Sequence, residues 1–142
     1  MTESTPRELV AQFYRDIWNQ PLRAARMQVI ERLIEDDFVF RGSLGTERRG
    51  REGFAHYVDQ IHAALADYRC DILDLVCEGP RAFARMHFSG IHRGELLGFA
   101  PCGRRVEWHG AALFDCHAGR IAELWVLGDL DALRAQLAKG AR

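Results

Sequence analysis

Leu9, Val10, Phe13, Tyr14, Ile17 and Trp18 recur at three- and four-residue intervals, the period of one buried helix face. Just ahead, Thr5-Pro6-Arg7-Glu8 supplies a hydroxyl to cap, a proline for the first helical position and a glutamate to complete a capping box. A second helix is expected from about Leu22 to Ile34, with Val29, Ile30, Leu33 and Ile34 on its buried side. Phe38-Val39-Phe40 reads as a short strand, and Arg41 to Gly50 as an exposed loop. Phe54, Tyr57, Val58, Ile61 and Leu65 then share one face of a third helix.

From Tyr68 onward the period changes to two, which predicts an antiparallel meander of four strands: Tyr68–Glu78, Arg81–Ile91, Arg104–Cys116 and Arg120–Leu127. Gly79-Pro80 and Ala118-Gly119 are suited to tight hairpin turns, and His92 to Gly103 to a longer loop. Leu130, Leu133 and Leu137 mark a last helix. Helices followed by an antiparallel sheet define the α+β class. A strongly bent sheet backed by helices leaves an enclosed space on its concave side, where a ligand would sit. Trp108, Phe114, Trp125 and Phe83 are expected to face that space or the core beside it.

The chain has 142 residues, 48% of them hydrophobic, enough to bury one core over residues 1–142 without room for a second domain. A net charge of −1 from interleaved acids and bases leaves no basic face for nucleic acid. The start lacks the basic and apolar segments of a signal peptide, and no stretch approaches the roughly 18 apolar residues of a membrane span, so a cytoplasmic protein is expected. Cys70, Cys77, Cys102 and Cys116 show no C-x-x-C spacing and read as small core residues. No histidine pair has H-E-x-x-H spacing, so no metal is expected, and neither a G-x-S-x-G elbow nor a phosphate-binding glycine loop is present.

The segment Gly90-Ile91-His92-Arg93-Gly94-Glu95-Leu96-Leu97-Gly98-Phe99-Ala100-Pro101-Cys102-Gly103 resembles the G-x-H-x-G-x-x-x-G-x-x-P-T-G run of SnoaL-like polyketide cyclases, in the nuclear-transport-factor-2-like superfamily. Gly119-Arg120-Ile121-Ala122-Glu123-Leu124-Trp125 is similar to their G-[KR]-I-x-E-x-W strand, and Phe13 to Asn19 and Gly50 to Phe54 match as well. The resemblance implies a cone-shaped α+β barrel, with N-terminal helices packed on a strongly curved, mostly antiparallel sheet around a hydrophobic cavity. It also implies aldol-type ring closure of a polyketide ester without cofactor or metal, and a catalytic aspartate near the start of the last helix. Here that position is Asp129. The chain departs from the family at two places: Ala112 aligns with a family histidine, and Val39-Phe40-Arg41 replaces V-x-H.

Removing a proton next to a carbonyl needs a base held close to that carbon, and burial makes a carboxylate a better base. Strand alternation puts Trp125, Leu127 and Asp129 on one side, expected to be the pocket side. Asp129 is also placed to cap the last helix, with Asp131 as the competing cap. Arg41 would offer a fixed positive fork to a carboxylate or enolate, or else be a solvated loop residue. His92 would line the cavity entrance or hold its loop, while the faces of His109 and His87 stay undecided. His56, His62 and His117 are read as solvent-side.

The expected ligand-binding set is therefore Arg41, His92, Trp108, Trp125, Phe40 and His109, around a small apolar molecule. Three functions fit these residues: cofactor-free acid/base catalysis such as cyclisation or isomerisation, binding of an apolar ligand without chemistry, and epoxide-hydrolase-like hydrolysis. By analogy with the family, a homodimer is expected.

Overall fold

The computed structural model describes residues 3 to 141. The capping residues act as expected: the Thr5 hydroxyl accepts the Glu8 N–H at 3.2 Å, and helix α1 runs Pro6–Phe13 with Leu9, Val10 and Phe13 buried. A π-helical turn, Tyr14–Trp18, continues it, with the Asn19 N–H donating to the Tyr14 carbonyl five residues back at 2.8 Å. Arg26, on helix α2 (Arg23–Leu33), is buried and fastens the intervening turn. Its Nη1 donates to the carbonyls of Gln20 and Pro21 at 3.0 Å each, and its Nη2 to Asp59 at 3.1 Å.

Helix α2 ends one residue before strand β1 (Ile34–Arg41), which is longer than the Phe38–Phe40 strand expected. Glu35-Asp36-Asp37 hid its first half, because acidic residues are poor strand formers. Arg51 anchors that half by donating to the Ile34 carbonyl at 2.8 Å and to Asp36 at 2.6 Å. The segment from Arg41 to Gly50 is not the open loop its charges suggested. Strand β2 (Glu47–Arg49) pairs antiparallel with β1, and Gly42 and Ser43 are buried. Helix α3 spans Gly50–Ala64.

The meander is present as expected: β3 (Leu65–Glu78), β4 (Arg81–His92), β5 (Arg105–His117) and β6 (Arg120–Gly128), followed by helix α4 (Leu130–Gly140). Ala118 and Gly119 both take positive φ, 51° and 77°, as a twist-matched two-residue hairpin turn requires. The six strands form one sheet in the order β2-β1-β6-β5-β4-β3, antiparallel except for β1 beside β6. Register shifts in β3 after Ala66 and after Ile72, and between Asp115 and Cys116 in β5, bend it around the helices.

Alternation decides which side chains enter the core. Ala82, Ala84, Met86 and Phe88 of β4, Val106, Trp108, Ala112 and Phe114 of β5, and Ile121, Leu124 and Val126 of β6 point inward. Phe83 and Trp125, expected near the enclosed space, are on the outer face because their buried neighbours occupy the inward parity. The cysteines divide likewise: Cys70 and Cys116 are buried, Cys102 is partly exposed and Cys77 exposed, so two are not the core residues expected. His62, read as solvent-side, is half-buried, its Nε2 3.0 Å from the Trp18 carbonyl and its ring stacked on the indole.

Phe13 of α1 stacks on Phe54 of α3 at 5.6 Å and meets Phe114 of β5 edge-on at 5.4 Å, joining both helices to the sheet. Phe54→Ala should cost about 3–5 kcal/mol, read as a lowered urea midpoint with an unchanged slope; a loss under about 1 kcal/mol would show that this contact does not hold the layers together.

Candidate functional site

Behind the aromatic stack the helices and sheet enclose a small chamber. Tyr14 and Trp18 enter it from the π-helical turn, Tyr57 from α3, Phe40 and Ser43 from β1 and the loop after it. Tyr68, Cys70, Phe88, Leu124 and Val126 complete the wall from the sheet. All three tyrosines of the chain converge here. The π-helical turn contributes directly, because Tyr14 and Trp18, four residues apart, both reach the same space. The volume is ≈ 20 Å³, room for about one water molecule.

One donor in the chamber wall, Tyr57 Oη, and one behind that wall, Trp108 Nε1, are buried without partners. Tyr57 Oη meets no hydrogen-bond partner of adequate geometry, although the Ser43 hydroxyl and the Leu44 backbone lie near it. Trp108 packs its ring against Phe88 at 5.4 Å and Tyr68 at 6.2 Å, and its Nε1–H is likewise unpaired. Gly42 and Gly128 make room for them. A Cβ on Gly42 would fall 2.5 Å from Tyr57 Oη, and one on Gly128 would fall 3.1 Å from Trp108 Nε1 and 2.6 Å from the Ser43 carbonyl. Each unpaired buried donor costs about 1–3 kcal/mol, a penalty that a ligand oxygen would remove.

The polar groups of the chamber are held neutral. Burial pushes the Tyr57 phenol up to about 12, against weaker opposing contributions from Leu44, Arg48 and Ser43. Burial also raises Tyr14 and Tyr68 well above the ordinary phenol value, with the neighbouring Cys70 adding to both, and raises the Cys70 thiol itself. Among the described residues no carboxylate lines the space. The walls can donate hydrogen bonds to a developing negative charge, but they contain no base.

Of the expected site residues, Phe40 is in the chamber wall, and Trp108 is buried behind it, packed on the wall residues Tyr68 and Phe88. Asp129 is not inside. It is exposed at the end of β6, where its Oδ1 accepts the Ala132 N–H at 3.1 Å and caps α4, while its own N–H donates to the His109 carbonyl at 2.8 Å. Trp125, Leu127 and Asp129 do share a side, but it is the outer one, since Leu124 and Val126 take the inward positions. Arg41 is outside as well, with Nη1 donating to the Val126 carbonyl and its guanidinium 5.3 Å over the Trp125 ring. His109 points outward beside His87, with ring centres 5.1 Å apart. His92 is buried away from the chamber, and Arg41 and Asp129 do not join in a hydrolase-like group around it.

The tyrosines, Ser43 and Cys70 were not singled out by the sequence. A usable signal was there: Tyr14 and Tyr57 stand on otherwise apolar helix faces, where a hydroxyl needs a partner or a ligand. Among the described residues, no three histidine, cysteine or carboxylate side chains come together to hold a metal ion, and no helix is long and apolar enough to cross a membrane.

Helices folded over a curved six-stranded sheet around a small chamber define the nuclear-transport-factor-2-like, or ketosteroid-isomerase-like, class of α+β domains. The chain belongs to the SnoaL-like polyketide cyclase family, whose model matches residues 8–137. It is similar to IdmH from Streptomyces antibioticus (26% identity, TM-score 0.79, covering 95% of this chain and 99% of that one). A SnoaL-like polyketide cyclase from Agrobacterium tumefaciens shares the fold (20% identity, TM-score 0.78, 94% and 98% covered). So does a protein with a ketosteroid isomerase-like fold from Catenulispora acidiphila, whose structure is a complex with trimethylamine (17% identity, TM-score 0.76, 95% of each chain). A search of curated proteins finds no match.

The raised phenols and thiol carry a consequence for stability. In the unfolded chain they lose protons near their ordinary values of 10.0 and 9.0, whereas the folded chain keeps them protonated. Their contribution is therefore complete below about pH 9 and is lost as pH rises, by about 1.4 kcal/mol per pH unit for each group in that window. Urea midpoints should be level from pH 7 to 8.5 and fall steeply by pH 11, with phenolate absorbance appearing only as the protein unfolds; ionisation of all three tyrosines near pH 10 in the folded protein would contradict this burial.

Proposed function

We propose that the chain binds a small, mostly apolar carbonyl compound in the tyrosine-lined chamber and performs cofactor-free acid/base chemistry on it, either an aldol-type cyclisation or an isomerisation. The observation that carries this reading is the pair of buried, unpartnered donors, Tyr57 Oη and Trp108 Nε1. Both stay neutral donors at physiological pH, and an enolate oxygen accepting them would be stabilised in a dry, low-dielectric site. Asp129 is the base in this scheme. It follows Gly128, where an added Cβ would fall 3.1 Å from Trp108 Nε1, and the carboxylate needs to release its cap and turn inward. The loop from Gly42 to Thr46 has to move outward too, since a chamber of ≈ 20 Å³ is far below the roughly 300 Å³ of small-molecule sites. The absence of any carboxylate from the described wall favours a second reading, in which the chamber binds its ligand without transforming it.

The test follows exchange of the α-protons of methyl benzoylacetate into D₂O by NMR. Asparagine caps a helix about as well as aspartate, whereas alanine costs about 1 kcal/mol, so Asp129→Asn separates chemistry from stability. Asp129→Asn should slow exchange by about 10²–10⁴-fold with an unchanged melting temperature, and Tyr57→Phe should slow it less. Exchange at the native rate in Asp129→Asn removes that residue from the mechanism. Saturable binding with no exchange above background decides for the binding reading.

We also infer a homodimer built on the outer face of the sheet. Val76, Phe83, Leu113 and Trp125 are successive cross-strand neighbours on β3, β4, β5 and β6, with Leu127 beside them. Apart from the partly buried Leu113, they are 43–63% exposed, a contiguous apolar band of the kind that self-complementary interfaces cover. The four free cysteines support a reducing, cytoplasmic setting. Light scattering should give twice the chain mass of 16.2 kDa, and Trp125→Glu should return it to the monomer; a native monomer at micromolar concentration would refute the interface.

A further inference from the structure

Cys102 and His92 form a pair that the chamber chemistry leaves unused. His92 ends β4 fully buried, with its backbone locked to the returning chain: its N–H donates to the Arg104 carbonyl at 2.9 Å, and its carbonyl accepts the Gly103 N–H at 2.8 Å. This brings Nδ1 to 3.4 Å from Cys102 Sγ, within hydrogen-bonding range for sulfur. The other ring nitrogen, Nε2, is buried with no partner, so no contact there prevents Nδ1 from being the unprotonated, accepting nitrogen.

The remaining cysteines lack this arrangement. Cys70 and Cys116 are buried, and burial holds their thiols protonated, the latter up to about 11. Cys77 is exposed on β3, and no imidazole is bonded to it among the described residues. Cys102 is partly open to solvent. It also stands where the resembled family segment carries a threonine, so the thiol replaces a hydroxyl that would be a far weaker nucleophile.

We propose that Cys102 is a nucleophilic modification site, with His92 as its base, for small soft electrophiles of the α,β-unsaturated carbonyl class. Nδ1 takes the thiol proton as sulfur bonds to the β-carbon. The C=C electron pair moves into an enolate, and a proton returned from the imidazolium to the α-carbon completes a thioether. No oxidant, reductant or leaving group is needed. The last turn of α4 crosses the thiol closely, since a Cβ on Gly140 would fall 2.5 Å from Sγ, and this restricts the site to slim reagents.

The experiment is competitive alkylation of the native chain by limiting methyl vinyl ketone at pH 7, with peptide mass mapping of each cysteine. Accessibility alone favours Cys77. An ordinary thiol is only a few per cent thiolate at pH 7, which leaves room for about tenfold or greater activation. Cys102 should therefore be labelled about ten times faster than Cys77; labelling of Cys77 at the same or a higher rate overturns the proposal. His92→Gln should bring Cys102 down to the Cys77 rate or below while Cys77 stays unchanged. An unchanged Cys102 rate in that variant overturns the role of His92. Should His92→Gln unfold, labelling of Cys70 and Cys116 reveals it, and the native competition decides alone.

Discussion

Close approach of helix α1 to the inner face of the sheet is the constraint on which the rest of this structure depends. Ala82, Ala84 and Ala112 give that face little relief, so Phe13 can reach Phe114 and Phe54 in one edge-and-face stack. Close packing there leaves only a small residual space beside the stack, roofed by Tyr14, Trp18 and Tyr57. The alanine at 112 thus has a packing meaning. It is small and fully buried, which lets the core close.

The chamber and Asp129 divide the requirements of acid/base chemistry between two environments. Neutral phenols line the chamber and an unpaired indole N–H is buried behind its wall, whereas the carboxylate remains outside in a structural role at the head of α4. Local capping and any catalytic use of Asp129 therefore exclude each other at a given moment. Binding energy from the apolar body of a ligand would have to supply the cost of drawing the acid inward.

Much of the fold was legible because each element announces its own period. The helical spacing from Leu9 to Trp18, and the alternation from Tyr68 through two well-marked turns, place α1 and the meander within a few residues. β2 was hidden because Glu47-Arg48-Arg49 is stabilised only by its pairing with β1, a tertiary effect. For the site, alternation grouped Trp125, Leu127 and Asp129 correctly but carried no sign saying which face was inward. The sign comes from the neighbours: Leu124 and Val126 pack against the chamber, and β6 has one orientation that buries them. The tyrosines converge from α1's extension, α3 and β3, a meeting that no local window reveals.

The parallel pairing of β1 with β6 joins two strands that have β2, α3, β3, β4 and β5 between them in the chain. While the chain is emerging from a ribosome, β1 has only the three-residue partner β2, and its other edge waits until β6 has been synthesised. Vectorial folding therefore cannot close the cone stepwise from the N-terminus. Until β6 arrives that edge of β1 is unpaired, and an unpaired strand edge is open to mispairing.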